Sequence, residues 1–149
     1  MFCHRQKGRK KMENKRNIKS LIMGIILFIL TAGLAVGVQT VFYACEHKTD
    51  AGMWMACHWA QMAVFGAACA MAVTALALMI VKNNKIKLGL AFSLIPMSVY
   101  TALIPNTLIN LCMKTDMRCH SVMKPAVIVI SILIAVVSAV YLIANKNEE

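Results

Sequence analysis

Four apolar runs, at residues 21–44, 53–81, 88–111 and 126–144, take up most of this chain, and no Asp, Glu, Lys or Arg interrupts any of them. An α-helix rises about 1.5 Å per residue, so about twenty residues of helix cover a hydrocarbon core roughly 30 Å thick. Each run can therefore cross a bilayer with some tilt. At 149 residues the chain has the length of one soluble domain, yet its 60% of hydrophobic residues exceeds what a globular core of that size needs. The expected class is all-α and integral to a membrane.

Charge sets the expected orientation. The net charge of +10 is concentrated in two places. Arg5, Lys7, Arg9, Lys10, Lys11, Lys15, Arg16 and Lys19 precede the first run, and Lys82, Lys85 and Lys87 fill the link between the second and third. Short cytoplasmic loops collect Lys and Arg, so the arm at 1–20, that link and the tail at 145–149 are expected inside, with both termini cytoplasmic. Loops 45–52 and 112–125 then face outward and mix signs, with Glu46, Lys48 and Asp50 in one and Lys114, Asp116, Arg118 and Lys124 in the other. A basic start before an apolar run also fits a signal peptide, whose apolar region is about 7–15 residues. The run at 21–44 is longer and fits an uncleaved anchor. The arm lacks interleaved aromatics, which points to anionic lipid and orientation rather than to nucleic acid. With little apolar surface to offset ordering, it is expected to be disordered.

Short connections make sequential helices antiparallel neighbours, so residues 21–144 are expected to form a four-helix bundle made of two helical hairpins. Gly33 and Gly37 make a GxxxG pair with Gly24 further down the same run, and Gly66 and Ala70 share that spacing in the second. Such residues let backbones approach in lipid, where hydrophobic drive between helices is weak, and packing within the monomer is expected. Pro96 and Pro105 should bend the third helix, with Thr101, Asn106, Thr107 and Asn110 near enough to serve the freed carbonyls. Gln61 and Gln39 are expected to hydrogen-bond across helices.

Sulfur makes the chain specific. Cys3 lies in the arm, and Cys69 sits among alanines as a small apolar filler. Cys45, Cys57, Cys112 and Cys119 all map to the outer face. Each hairpin places a cysteine where the odd helix emerges and a Met-x-Cys-His where the even helix begins: Met55-Ala56-Cys57-His58 and Met117-Arg118-Cys119-His120. This weak internal repeat implies two hairpins related by a twofold axis along the membrane normal.

Three readings compete for these residues. In the structural one, Cys45 pairs with Cys57 and Cys112 with Cys119, each bridge contributing about 3 kcal/mol by closing its loop in an oxidising compartment; cross-hairpin pairing stays open. In the redox one, a bridge exchanges with a partner thiol and passes electrons to the second bridge or to a quinone. The layout resembles membrane thiol oxidoreductases of the quinone-reducing and vitamin K epoxide reductase types, but those carry a Cys-x-x-Cys and neither outer loop has one. In the metal one, Cys57, His58, Cys119 and His120, with Met55 and Met117, form a soft rim suited to Cu(I). Adjacent helical residues point about 100° apart, so Cys57 and His58 share an ion only if the helix begins irregularly. Trp54 and Trp59 read as interfacial belt residues. Copper or quinone enters only under the last two readings, and the first needs no cofactor.

No carboxylate lies in any run, which argues against a proton-coupled carrier or a voltage sensor. A phosphate-binding glycine loop, a nucleophile elbow and a HExxH are likewise missing. The combination of Cys45, Met55-Ala56-Cys57-His58-Trp59, Leu103-Ile104-Pro105-Asn106, Cys112, Met117-Arg118-Cys119 and Pro125 resembles the prokaryotic membrane proteins catalogued as domain of unknown function 4418. That resemblance covers the chain from 21 to 144. It implies a small four-helix membrane protein of a family without established activity. The resemblance also implies a gene neighbourhood with permeases of the macrolide-exporter type, and with it an accessory role beside an ABC permease. His120 stands outside the resemblance, which weakens a symmetric two-ligand site. The expected function is a non-enzymatic accessory or interaction subunit in the cell membrane with a disulfide-stabilised outer rim. The alternatives are a thiol–disulfide oxidoreductase and soft-metal handling.

Overall fold

A computed structural model of the chain describes the backbone of residues 3–42, 56–105, 107–109 and 119–146, with side chains over 18–42, 56–105, 107–109 and 121–145. Helix α1 spans Cys3–Thr40, α2 Ala56–Ile80 and α3 Asn84–Leu103, and a π-helical turn at Cys119–Met123 leads into α4, Lys124–Lys146. Segments Ile18–Thr40, Ala56–Ile80, Asn84–Leu103 and Ser121–Asn145, of 23, 25, 20 and 25 residues, are each long and apolar enough to cross a bilayer. The chain is a multi-pass, all-α membrane protein. Helix α1 also runs back through the basic arm to Cys3, where disorder was expected. Lys, Arg, Gln and Met are good helix formers, and the adjoining span supplies the nucleus from which the arm propagates.

On every helix a strip of buried positions recurs three or four residues apart. The strip is Ser20, Gly24, Leu27, Thr31, Leu34 and Val38 on α1, with Ala35 and Gly37 buried beside it, and Cys57, Gln61, Val64, Ala68, Met71, Ala75 and Leu78 on α2, with Ala60 buried beside it. On α3 it is Lys87, Ala91, Leu94, Ser98 and Thr101, and from the π-helical turn into α4 it is Met123, Val127, Ser131, Ile134, Ser138 and Tyr141. A mean period near 3.5 is the signature of helices packed at a shallow left-handed angle. The helices close into a ring in which α1 meets α2, α2 meets α3, α3 meets α4 and α4 meets α1. Contact is more extensive between α1 and α2 and between α3 and α4 than across the other two seams. Outside the seams, Ile29, Val73, Phe92 and Val129 are each more than half exposed, as suits side chains whose solvent is acyl chain.

Several hydroxyls sit in the seam. Thr31 donates to the Leu27 carbonyl (2.9 Å), Ser98 to Ile95 (2.8 Å) and Thr101 to Met97 (2.8 Å). Each is satisfied within its own helix. Ser131 and Ser138 differ, since their buried Oγ atoms have no hydrogen-bond partner among the described residues.

The third helix ends earlier than its apolar run. Pro96 lies inside α3, but Pro105 stops it at Leu103 rather than bending it. Proline has no N–H for the Thr101 carbonyl, which instead takes the Ile104 N–H at 3.4 Å. The chain then widens: Leu108 N–H reaches the Leu103 carbonyl (3.2 Å) and Ile109 N–H the Ile104 carbonyl (3.1 Å). Thr101 does not serve the freed carbonyl, as its hydroxyl is committed to Met97. Asn106 and Asn110 lie outside the described residues.

The GxxxG pair is not a seam between helices. A Cβ on Gly33 would meet nothing within 4 Å, and one on Gly37 would meet the Phe42 ring of the same chain end at 2.9 Å. The glycine that α2 approaches is Gly24, where a Cβ would lie 2.9 Å from Met79 Cγ and 3.4 Å from Leu78 Cδ2. Register explains the difference, because Gly24 falls on the buried spacing and Gly33 one position off it.

Two outcomes follow for thermal unfolding in detergent. Ser131→Ala and Ser138→Ala should leave stability unchanged or raise it by up to about 1 kcal/mol, since each removes a buried hydroxyl without a hydrogen-bond partner among the described residues. Gly24→Ile should cost about 1–3 kcal/mol by overpacking the α1/α2 seam, whereas Gly33→Ala should cost nothing.

Candidate functional site

The end of the bundle where α1 finishes and α2 and α4 begin carries Cys57 and the backbone of Cys119. Gln61 ties two of these helices together: its buried amide donates to the Val38 carbonyl (3.1 Å) and to Gln39 Oε1 (3.1 Å). One turn nearer the helix start, Cys57 is fully buried, in the same core as Val38, Ile104 and Met123. His58 is half-buried, with its ring edge-on to Trp59 at 6.2 Å and 77°, and Trp59 is largely exposed.

Wide backbone turns gather at this end. The Gly37 carbonyl accepts from both Val41 (2.9 Å) and Phe42 (2.7 Å), and the missing Cβ leaves room for the Phe42 ring to fold back. The turn after Pro105 bridges five residues in the same way, and Cys119–Met123 is a π-helical turn. Wide turns of this kind recur at functional sites because they re-aim side chains and leave backbone groups open to other partners.

The two Met-x-Cys-His copies begin their helices differently. The first enters a regular α-helix at Ala56, so Cys57 and His58 diverge by about 100° and do not converge on one ion. The second opens in the π-helical turn, with Cys119 and His120 at its first two positions. Cys45, Met55, Cys112 and Met117 lie outside the described residues. Among the described residues no three His, Cys, Asp or Glu side chains come together as metal ligands. Cys69 is half-buried midway along α2 and is a free thiol.

Two features were not singled out from the sequence. A groove of about 560 Å³ runs between α2 and α3, lined by Ala63, Gly66, Ala67, Pro96 and Tyr100 among others. At the opposite end Lys87 is buried and bonded to Ser20, which bonds to Tyr141. Lys87 falls on the buried spacing, four residues before Ala91, and that spacing is the signal that would have revealed it.

No curated protein and no solved structure matches the chain. A family model does, over residues 19–144, which takes in all four spans and both Met-x-Cys-His copies. The chain belongs to the family described as domain of unknown function (DUF4418).

Proposed function

We propose that the chain is a non-enzymatic accessory subunit that holds a transmembrane helix of a partner in the groove between α2 and α3. The observation that carries this reading is the groove itself. Its α2 side pairs Met62 with the small residues Ala63, Gly66 and Ala67, and a Cβ added at Gly66 would meet nothing within 4 Å. In lipid, helices associate through close backbone approach, and small residues off the intramolecular seam offer that approach to a second chain. The family resemblance supplies a partner class, an ABC permease of the macrolide-exporter type. Lysine and arginine distribution supports a cell-membrane orientation with the arm at 1–20, the 81–83 link and the tail at 145–149 in the cytoplasm. The Cys57 end then faces outward, where bridges Cys45–Cys57 and Cys112–Cys119 staple the two loops. The burial of Cys57 favours this role over thiol exchange, since a reactive cysteine has to be reached by the attacking thiolate.

The test is co-expression with such a permease. A photo-crosslinker at position 66 should capture the permease and one at position 129, on the lipid face of α4, should not. Gly66→Leu should lower co-purification by about tenfold or more without changing the melting temperature. Alkylation after denaturation should label Cys3 and Cys69 directly, and Cys45, Cys57, Cys112 and Cys119 only after reduction. Catalysed thiol–disulfide exchange by the purified chain, or stoichiometric Cu(I) on the reduced protein, would replace this reading with one of the two alternatives.

A further inference from the structure

At the end opposite Cys57, a cavity of about 380 Å³ opens between α1 and α4. One part of its lining is polar, with Lys19, Ser20, Tyr141 and Asn145, and another is apolar, with Ile22, Met23 and Ile26. Behind Ser20 stands Lys87, only 8% exposed, whose Nζ donates to Ser20 Oγ at 3.2 Å. Ser20 Oγ and the Tyr141 hydroxyl are 2.8 Å apart, and Asn145 Nδ2 donates to the Tyr141 carbonyl at 2.9 Å.

The hydrogen-bond count at this cluster does not close. A lysine ammonium has three protons to give and accepts none. If Ser20 donates to Tyr141, the Tyr141 hydroxyl proton is left over; if Tyr141 donates, the Ser20 proton is. Either way one hydroxyl proton and two ammonium protons have no acceptor among the described residues. Charge does not close either. The segments with described side chains contain no Asp or Glu at all, so Lys87 has no carboxylate among them. Lys85 and Lys87 also sit in the first turn of α3, which has no acidic residue, at the end where the helix dipole favours negative charge. A buried cation is costly unless an anion offsets it.

We propose that this cavity binds the phosphate headgroup of an anionic phospholipid. Phosphate oxygens accept from Lys19 and from the spare hydroxyl of the Ser20–Tyr141 pair, Lys87 supplies charge from behind, and an acyl chain lies along Ile22, Met23 and Ile26. Phosphate is the shared chemistry of a lipid headgroup and of the free ion. The apolar wall beside the polar end is what selects the lipid. Basic pockets between helices at the membrane surface bind anionic headgroups in this way.

The experiment uses the full chain in nanodiscs of phosphatidylcholine, with and without phosphatidylglycerol, and in phosphatidylcholine with saturating inorganic phosphate. Native mass spectrometry reads retained lipid, and thermal unfolding reads stabilisation. Phosphatidylglycerol should be retained in preference to phosphatidylcholine and should raise the melting temperature, while inorganic phosphate should not. Lys87→Met and Lys19→Gln should each weaken retention by about fivefold, whereas Lys82→Gln, in the exposed link, should have no effect. The double variant Ser20→Ala/Tyr141→Phe removes both hydroxyls at nearly unchanged volume, and it should weaken retention even if Lys87→Met does not fold. Equal retention of the two lipids, or unchanged retention in Ser20→Ala/Tyr141→Phe and in Lys19→Gln, overturns the site. Stabilisation by inorganic phosphate equal to that by phosphatidylglycerol overturns the lipid and leaves a free-ion site.

Discussion

In a bilayer an apolar side chain gains little by moving from lipid to protein, so cohesion has to come from shape and from the few polar groups that water cannot satisfy. Everything in this bundle depends on one strip of residues per helix, spaced three or four apart. The strip on α2 is Cys57, Gln61, Val64, Ala68, Met71, Ala75 and Leu78, and small residues recur along it. Those residues bring helix axes close and maximise dispersion contact, which is individually weak and collectively large. The rest of each helix is free to be greasy. This is why the outward faces are as apolar as the inward ones.

The two ends of the bundle solve the same terminal problem in opposite ways. Helix ends leave carbonyls and N–H groups without partners, and lipid supplies none. At the Lys87 end the solution is compact: residues 81–83 join α2 to α3, and the Asn83 side chain caps α3 by accepting from the Lys85 N–H at 3.1 Å. At the Cys57 end it is loose, with wide turns after Gly37 and Pro105 and at Cys119–Met123, and a glutamine amide spanning from α2 to α1.

The sequence reading captured what depends on length and polarity alone. Four spans, an all-helical membrane class and the family were all legible, because a stretch of twenty uncharged apolar residues has few other uses. What it missed turns on register. Gly33 and Gly37 matched a motif, but the buried spacing passes through Gly24, and motif matching does not count phase. An apolar run that continues to Leu111 hides the stop at Pro105, where the Thr101 carbonyl loses its helical donor, takes the Ile104 N–H instead, and the chain leaves the helix. Lys87 was assigned to the solvated link by its charge, although its position places it inside. The two Met-x-Cys-His copies look equivalent as letters, yet Cys57-His58 stand in a regular α-helix and Cys119-His120 open a π-helical turn.

The three-residue connection at 81–83 also limits how the molecule can deform. Two rods joined so tightly at one tip cannot slide lengthwise past each other, and any relative displacement has to be a swing about that hinge. With an arm of about 30 Å, a swing of roughly 5° moves the free tips apart by about 2.5 Å. Any opening of the gap between α2 and α3 would therefore be widest beside Cys57 and least beside the lysines.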